Sequence, residues 1–66
     1  MSKGHAELTD IDAELKHTTY DLEGDPKSYL LYDGKTEAWV PASKVENNKD
    51  GTFTMPVWLA TDRGFV

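Results

Sequence analysis

The sequence predicts a small, mainly β domain that ends in one short helix. Two turn signals, Asp33-Gly34 and the polar stretch 47–51, separate short runs of aromatic, aliphatic and β-branched residues. Runs of this kind, bounded by Gly, Asn and Asp, are typical of antiparallel strands. Pro56 and Gly64 lie at the two ends of a final apolar stretch, and proline at the start with glycine at the end is typical of a short helix. We therefore expect a single domain over 1–66, with residues 1–6 disordered, built as a small antiparallel sheet or partly open barrel of four strands with one C-terminal helix.

The first element spans residues 8–20, where apolar side chains alternate with polar ones. This period of two predicts a half-buried strand. Leu8, Ile11 and Leu15 also have helical spacing, so a helix stays the alternative. As a strand, the segment places three acidic side chains along its outer face: Asp10, Asp12 and Glu14.

A hairpin is predicted next, with strands at 28–33 and 36–41 joined by a type I′ turn at Asp33-Gly34. The alternation puts Ala38 and Val40 on one face and Trp39 on the other, so Trp39 is either covered on a second side or left exposed for a partner.

The second strand of the hairpin should end at a proline. Pro41 has no N–H to donate to a sheet, and a tight or 3₁₀ turn should follow it and return Val45 to the core. A strand at 51–55 completes a predicted three-stranded meander.

The last apolar stretch, residues 56–64, is predicted to be a short helix. Pro56 suits its first turn and Gly64 a left-handed C-terminal cap. Leu59 and Trp58 are expected to pack on the sheet, since a small domain needs its largest side chains inside.

The charge and composition of the chain exclude several classes of function. Residues 1–25 carry seven acids against two lysines, so they hold the whole net charge of −5, and this acidic balance argues against a general DNA-binding protein. The chain has no cysteine, which excludes disulfides and thiolate metal sites. No apolar run reaches the roughly 20 residues of a membrane span, so a cytoplasmic protein without membrane contact is expected. Self-association stays open because a domain of this size has marginal stability.

No catalytic site or cofactor is predicted. His17 has no nucleophile or orienting partner at a recognisable spacing, and we interpret it as a structural histidine on the apolar face of the first strand. His5 and His17 lack a third metal ligand in a known pattern. The acidic alternation of Asp10, Asp12 and Glu14 lacks the glycine and the distal glutamate of a calcium-binding loop. The chain is therefore predicted not to be an enzyme.

The stretch Ala38-Trp39-Val40-Pro41-Ala42-Ser43-Lys44-Val45-Glu46 resembles the closing strand and turn of SH3-type barrels. The order of the surrounding elements differs from that of SH3 domains, and their paired tryptophans are absent. The resemblance implies a small-barrel geometry and not the binding of proline-rich peptides.

A second resemblance covers about residues 10–66. Trp39-Val40-Pro41-Ala42-Ser43, followed by Pro56-Val57-Trp58-Leu59-Ala60, is similar to motifs of small proteins from phages and bacterial mobile elements. Ala42 and Val57 replace a lysine and a glutamate that are usual in those motifs, so a role for those charges is not implied here. The resemblance implies a genomic setting and no particular mechanism.

Two hypotheses of function follow. The first is a phage or mobile-element protein that occupies a protein surface, such as the basic channel of a host nuclease or defence complex. Its binding candidates are Asp10, Asp12, Glu14 and Trp39. The second is an accessory protein for single-stranded nucleic acid, with Tyr32, Trp39 and Lys44 as the contact residues. Direct nucleic-acid binding is the less favoured of the two because the net charge is negative.

Overall fold

Six strands and one helix make up the computed structural model, which describes residues 7–66; His5 and the predicted disorder of 1–6 lie outside this range. In chain order the elements are β1 (Leu8–Asp12), β2 (Glu14–Tyr20), β3 (Pro26–Tyr32), β4 (Glu37–Pro41), a 3₁₀ turn (Ala42–Lys44), β5 (Glu46–Asn47), β6 (Thr52–Pro56) and α1 (Val57–Arg63). The strands form two antiparallel sheets, ordered β1-β6-β5 and β2-β3-β4. The predicted mainly β fold with a short C-terminal helix is confirmed, with six strands in two sheets instead of four strands in one.

Residues 8–20 are extended, so the strand prediction is confirmed and the helical alternative is wrong. The segment divides at Ala13, whose N–H donates to the Gly51 carbonyl at 3.0 Å. β1 belongs to one sheet and β2 to the other. The chain therefore crosses from sheet to sheet at a single residue, which the regular alternation of the sequence does not reveal.

The predicted place of His17 on the apolar face is wrong. The register of β2 against β3 shifts between Leu15 and His17, and His17 pairs with Leu30 while Leu15 pairs with Leu31. Such a bulge inserts one residue and turns the following side chains to the other face of the sheet. As a result His17 is exposed on the outer side.

The predicted meander is also wrong in its last pairing. The strand at 52–56 pairs with β1 and β5, not with β4. Pro41 is the last residue of β4, and the 3₁₀ turn after it leads the chain away from that sheet. Val45 then returns to the core, where it is buried as expected.

The core lies between the inner faces of the two sheets and under α1. Tyr29 of one sheet and Phe53 of the other meet with ring centroids 6.2 Å apart. The fully buried side chains include Leu31 and Met55. The buried core residues are Ile11, Leu31, Val40, Val45, Phe53, Met55, Leu59, Ala60 and Phe65. Val40 is buried and Ala38 packs against the core, so the face of β4 that carries these two residues is its inner face.

The hairpin has a two-residue connection, as predicted, but it is not a type I′ turn. The Asp33 N–H donates to the Thr36 carbonyl at 3.1 Å, so Gly34 and Lys35 join the strands, and of these two only Gly34 has positive φ. Asp33 Oδ1 accepts from the backbone N–H groups of Lys35 at 2.9 Å and Thr36 at 2.6 Å. A type I′ turn needs two residues with positive φ, and this loop has one. The hydrogen bonds to the Asp33 carboxylate stabilise the loop instead.

The helix ends as predicted, but its tryptophan does not pack inward. Gly64 caps α1 with φ 88°, and Phe65 folds back into the core. The buried residues of the helix are Leu59 and Ala60, whereas Trp58 is 53% exposed. A helix turns by about 100° per residue, so position 58 lies roughly 150° from the middle of the side that buries positions 59 and 60, on the solvent side of the helix. The prediction that Trp58 belongs to the core is wrong.

Candidate functional site

Trp39 lies on the outer side of the β2-β3-β4 sheet. Its neighbours Ala38 and Val40 face the core, and the Trp39 side chain stays 45% exposed. The Trp39 carbonyl accepts a hydrogen bond from Arg63 Nε at 2.8 Å, which ties the edge of β4 to the last turn of α1. The backbone under this tryptophan is therefore fixed while its indole remains available to a partner.

Three side chains form a row across this sheet. Leu30 lies opposite Trp39 on one side and opposite His17 on the other. Residues directly opposite each other in antiparallel strands share a face, with Cβ atoms about 4.5–5.5 Å apart. Leu30 is half-buried and His17 is exposed, so the row is open to solvent.

Tyr32 extends the row along β3. It lies opposite Glu37 of β4 and Glu14 of β2, and it is two residues beyond Leu30 on the same face. We call this surface the outer aromatic face; it consists of His17, Leu30, Tyr32 and Trp39.

Charged side chains border the outer aromatic face. Lys16 Nζ lies 5.6 Å from the centre of the Tyr32 ring and 3.6 Å from Glu14 Oε2. Glu14 and Glu37 flank Tyr32 on both neighbouring strands. Glu14, Glu37 and Lys16 leave one net negative charge around the face, and Arg63, which contacts the Trp39 carbonyl, is balanced by its ion pair with Asp62. This balance suits a basic partner better than a phosphate backbone.

The acidic candidates separate into two groups. Glu14 borders the outer aromatic face, whereas Asp10 and Asp12 lie on the outer side of the other sheet. Asp10 Oδ1 accepts from Thr54 Oγ1 at 2.5 Å, and Asn48 Nδ2 donates to the same hydroxyl at 2.9 Å. That outer side is therefore mainly polar, and the predicted continuous acidic strand face is divided between two sheets at Ala13.

The nucleic-acid candidates are only partly brought together. Tyr32 and Trp39 share the outer aromatic face, but Lys44 belongs to the 3₁₀ turn. Lys44 lines a shallow groove of about 230 Å³ whose other walls come from Leu8, Ser43, Val45, Glu46 and Thr54. No residue of the outer aromatic face lines this groove. The predicted trio of Tyr32, Trp39 and Lys44 is therefore not one surface.

A cluster of carboxylates occurs in the β2–β3 turn. Single carboxylate oxygens of Asp21, Glu23 and Asp25 come within 4.8 Å of one another, and all three residues are exposed. Asp21 Oδ1 already accepts from the N–H groups of Glu23 and Asp25, each at 2.9 Å. The cluster is thus explained by the hydrogen bonds of the turn.

Leu30, His17 and Lys16 were not predicted as part of a site. The signal for Leu30 was present, because strands at 28–33 and 36–41 joined through residues 34 and 35 put it opposite Trp39. His17 and Lys16 reach the outer aromatic face only because of the bulge in β2, and no residue of the sequence predicts that bulge.

Comparisons of the chain with protein-family models, with curated proteins and with solved structures found no match. Among residues 7–66, no helix is long and apolar enough to cross a membrane.

Proposed function

We propose that this chain is a non-enzymatic module that binds a protein partner through the outer aromatic face. The observation that carries the proposal is the position of Trp39, which is 45% exposed beside half-buried Leu30 on the outer side of the β2-β3-β4 sheet. Tryptophan is enriched among the residues that dominate binding energy at protein interfaces. Tryptophan has only two side-chain torsions, so covering its indole costs little conformational entropy.

The partner surface is basic under this proposal. The outer aromatic face is bordered by Glu14 and Glu37, and the remaining acids of the first third are exposed. Complementary charge speeds association and selects against acidic partners. The negative border also disfavours a phosphate backbone, which needs clustered Lys and Arg.

The proposed setting is the cytoplasm of a host cell. There, as a phage or mobile-element protein, the chain would occupy the basic groove of a nucleic-acid-processing complex and thereby inhibit it. The net charge of −5, all contributed by residues 1–25, supports a target of this chemistry.

Binding of single-stranded nucleic acid is the second candidate. Tyr32 and Trp39 on one face favour it, because bases stack on exposed aromatic side chains. Lys16 above the Tyr32 ring would be the cation in place of Lys44. Salt-sensitive quenching of Trp39 fluorescence by an oligonucleotide would support this candidate, and unchanged fluorescence at low salt would exclude it.

The experiment is an affinity capture from host lysate, with and without nuclease, using the wild-type chain, Trp39→Ala and Trp58→Ala. Trp58 is a matched control because it is 53% exposed but lies on α1. We expect a protein that survives nuclease, is retained by Trp58→Ala and is reduced at least tenfold by Trp39→Ala, since interface tryptophans often contribute about 2 kcal/mol or more. Equal capture by wild type and Trp39→Ala would overturn the proposal.

A further inference from the structure

Among residues 7–66, one edge of strand β1 pairs with no other strand. The Val57 N–H donates to the Glu7 carbonyl, and the Ala13 N–H donates to the Gly51 carbonyl. Hydrogen-bonded pairs alternate along an antiparallel ladder, so the odd-numbered residues of β1 direct their backbone groups toward β6. The N–H and C=O groups of Leu8, Asp10 and Asp12 therefore point away from the sheet.

No hydrogen bond among residues 7–66 uses these outward backbone groups. β1 is the edge of its sheet, and its five residues pair with β6 without a register shift. Five regular residues present about 17 Å of edge. This is enough for a short strand to add alongside.

The other long edges are less suited to strand addition. β2 has register shifts at Leu15/His17 and at Thr19/Tyr20, and bulges of this kind protect an edge against further pairing. On β4 the outward carbonyl of Trp39 is occupied by Arg63. The regular open edge is that of β1.

Acidic side chains accompany the outward backbone groups. Asp10 and Asp12 lie on the outer face opposite Thr54 and Thr52, and both aspartates are exposed. A strand added to β1 would place alternate side chains directly beside them. Opposite charges in such cross-strand positions stabilise a sheet and like charges destabilise it.

We propose that the free edge of β1 takes up an extended basic segment of a partner protein by strand addition. Main-chain hydrogen bonds to Leu8, Asp10 and Asp12 would fix the segment, and alternate Lys or Arg side chains would pair with the two aspartates. The inference rests on the proposed function in that the partner is a protein. It uses a surface separate from the outer aromatic face.

A second copy of the chain is a poor occupant of this edge. Two β1 strands paired antiparallel would bring Asp10 next to Asp10 or Asp12 of the other copy, and the two molecules would each carry a net charge of −5. Both effects oppose self-pairing.

The test uses synthetic peptides of about nine residues. The probe alternates lysine and valine; one control replaces lysine by glutamate, and another is N-methylated at every residue, which keeps the charge but removes every N–H donor. Amide hydrogen exchange is followed on the labelled full-length chain. We expect saturating basic peptide to slow exchange of the outward Asp10 and Asp12 amides by about tenfold or more. Both control peptides should leave that exchange unchanged.

Equal binding of the N-methylated peptide would show charge attraction without strand addition and would overturn the inference. The inference would also be overturned if the basic peptide, at saturation or at millimolar concentration, left the amide hydrogen exchange of Asp10 and Asp12 unchanged.

Two chain variants separate the backbone from the charge. Asp10→Asn and Asp10→Pro both remove the carboxylate, but only the proline removes the outward N–H, and proline is tolerated at a solvent-facing edge position. Asp10→Pro should therefore bind the basic peptide at least tenfold more weakly than Asp10→Asn. Equal binding by two folded variants would overturn the inference.

Failure of the strand-addition inference can be distinguished from failure of the proposed function. Trp39→Ala should leave peptide binding at β1 unchanged, because Trp39 lies on the other sheet. If the captured partner depends on Trp39 but binds Asp10→Pro and Asp10→Asn equally, the strand-addition inference falls while the proposed function stands. Glu23→Lys, an equal charge change in the β2–β3 turn, should affect peptide binding less than Asp12→Lys.

Discussion

Leu30 lies directly opposite Trp39 on neighbouring strands, and both side chains point to the solvent side of the sheet. The next residue along β3, Leu31, lies opposite Ala38 and is fully buried. One face of the hairpin thus contributes to the core, and the other is open to solvent. The structure places the two leucines in different environments although they are adjacent in sequence.

Replacement of these two leucines should give very different losses of stability. Leu31→Ala removes a side chain with 0% exposure and should lower the free energy of unfolding by about 2–5 kcal/mol. Leu30→Ala, at a half-buried site, should cost about half as much or less. Urea unfolding followed by circular dichroism measures both. Equal losses would mean that the faces of β3 are assigned wrongly.

The C-terminal cap should depend on the left-handed conformation of Gly64. Its φ is 88°, and an added Cβ would meet only the Thr36 side chain, with Cγ2 at 3.5 Å and Oγ1 at 3.9 Å, which are ordinary contacts. Gly64→Ala should therefore lose about 1–2 kcal/mol through backbone strain alone. Gly64→Asn should lose less, because asparagine tolerates this conformation better. Thermal unfolding compares the two, and equal melting temperatures for wild type and Gly64→Ala would contradict the assignment.

Acid should weaken the hairpin loop. Hydrogen bonds from the backbone of Thr36 and then Lys35 hold the pKa of Asp33 below its ordinary value of 3.8. A carboxylate with a lowered folded-state pKa stabilises the fold above its unfolded pKa and loses that effect as the pH falls through the folded pKa. The loss should therefore begin near pH 3.8 and continue below it. Melting temperatures measured against pH should show a shallower acid decrease in Asp33→Asn than in wild type.

Asp50 provides a parallel case in the β5–β6 turn. Its Oδ1 accepts from the Thr52 hydroxyl at 2.6 Å and the Thr52 N–H at 3.0 Å, and these bonds lower its pKa. Asp50→Asn should likewise reduce the acid sensitivity. An unchanged pH profile in the variant lacking both aspartates would show that other groups cause the acid transition.

Both tryptophans should be accessible in the folded protein. Trp39 is 45% and Trp58 is 53% exposed. Single-tryptophan variants, Trp58→Phe and Trp39→Phe, should each show strong fluorescence quenching by acrylamide in the native state. A tryptophan that is shielded until the chain is unfolded would contradict its place in the structure.

The local signals of the sequence predicted local structure well. Pro41 predicted the end of β4, Gly64 the helix cap, and the alternation around Val40 the inner face of its strand. Each of these depends on the chemistry of one residue or its immediate neighbours. The same alternation identified Trp39 as a side chain out of phase with the core.

Long-range pairing could not be predicted in the same way. The pairing of β6 with β1 joins residues 44 positions apart, as in the hydrogen bond between Thr54 and Asp10. The crossing at Ala13 and the bulge at Lys16 have no marker residue, so the acidic candidates were expected on one strand face and lie on two sheets. Trp58 was misplaced because Leu59 and Ala60 take the buried side of a helix of seven residues.

The central claim is that a protein partner covers the outer aromatic face. The most direct measurement is a titration of the ¹⁵N-labelled chain with the partner recovered by affinity capture, followed by amide and indole chemical shifts. We expect the largest changes at the Trp39 indole and at the amides of Leu30 and Tyr32, with the Trp58 indole unaffected. Changes centred on Trp58 and α1, with the Trp39 indole unmoved, would contradict the claim.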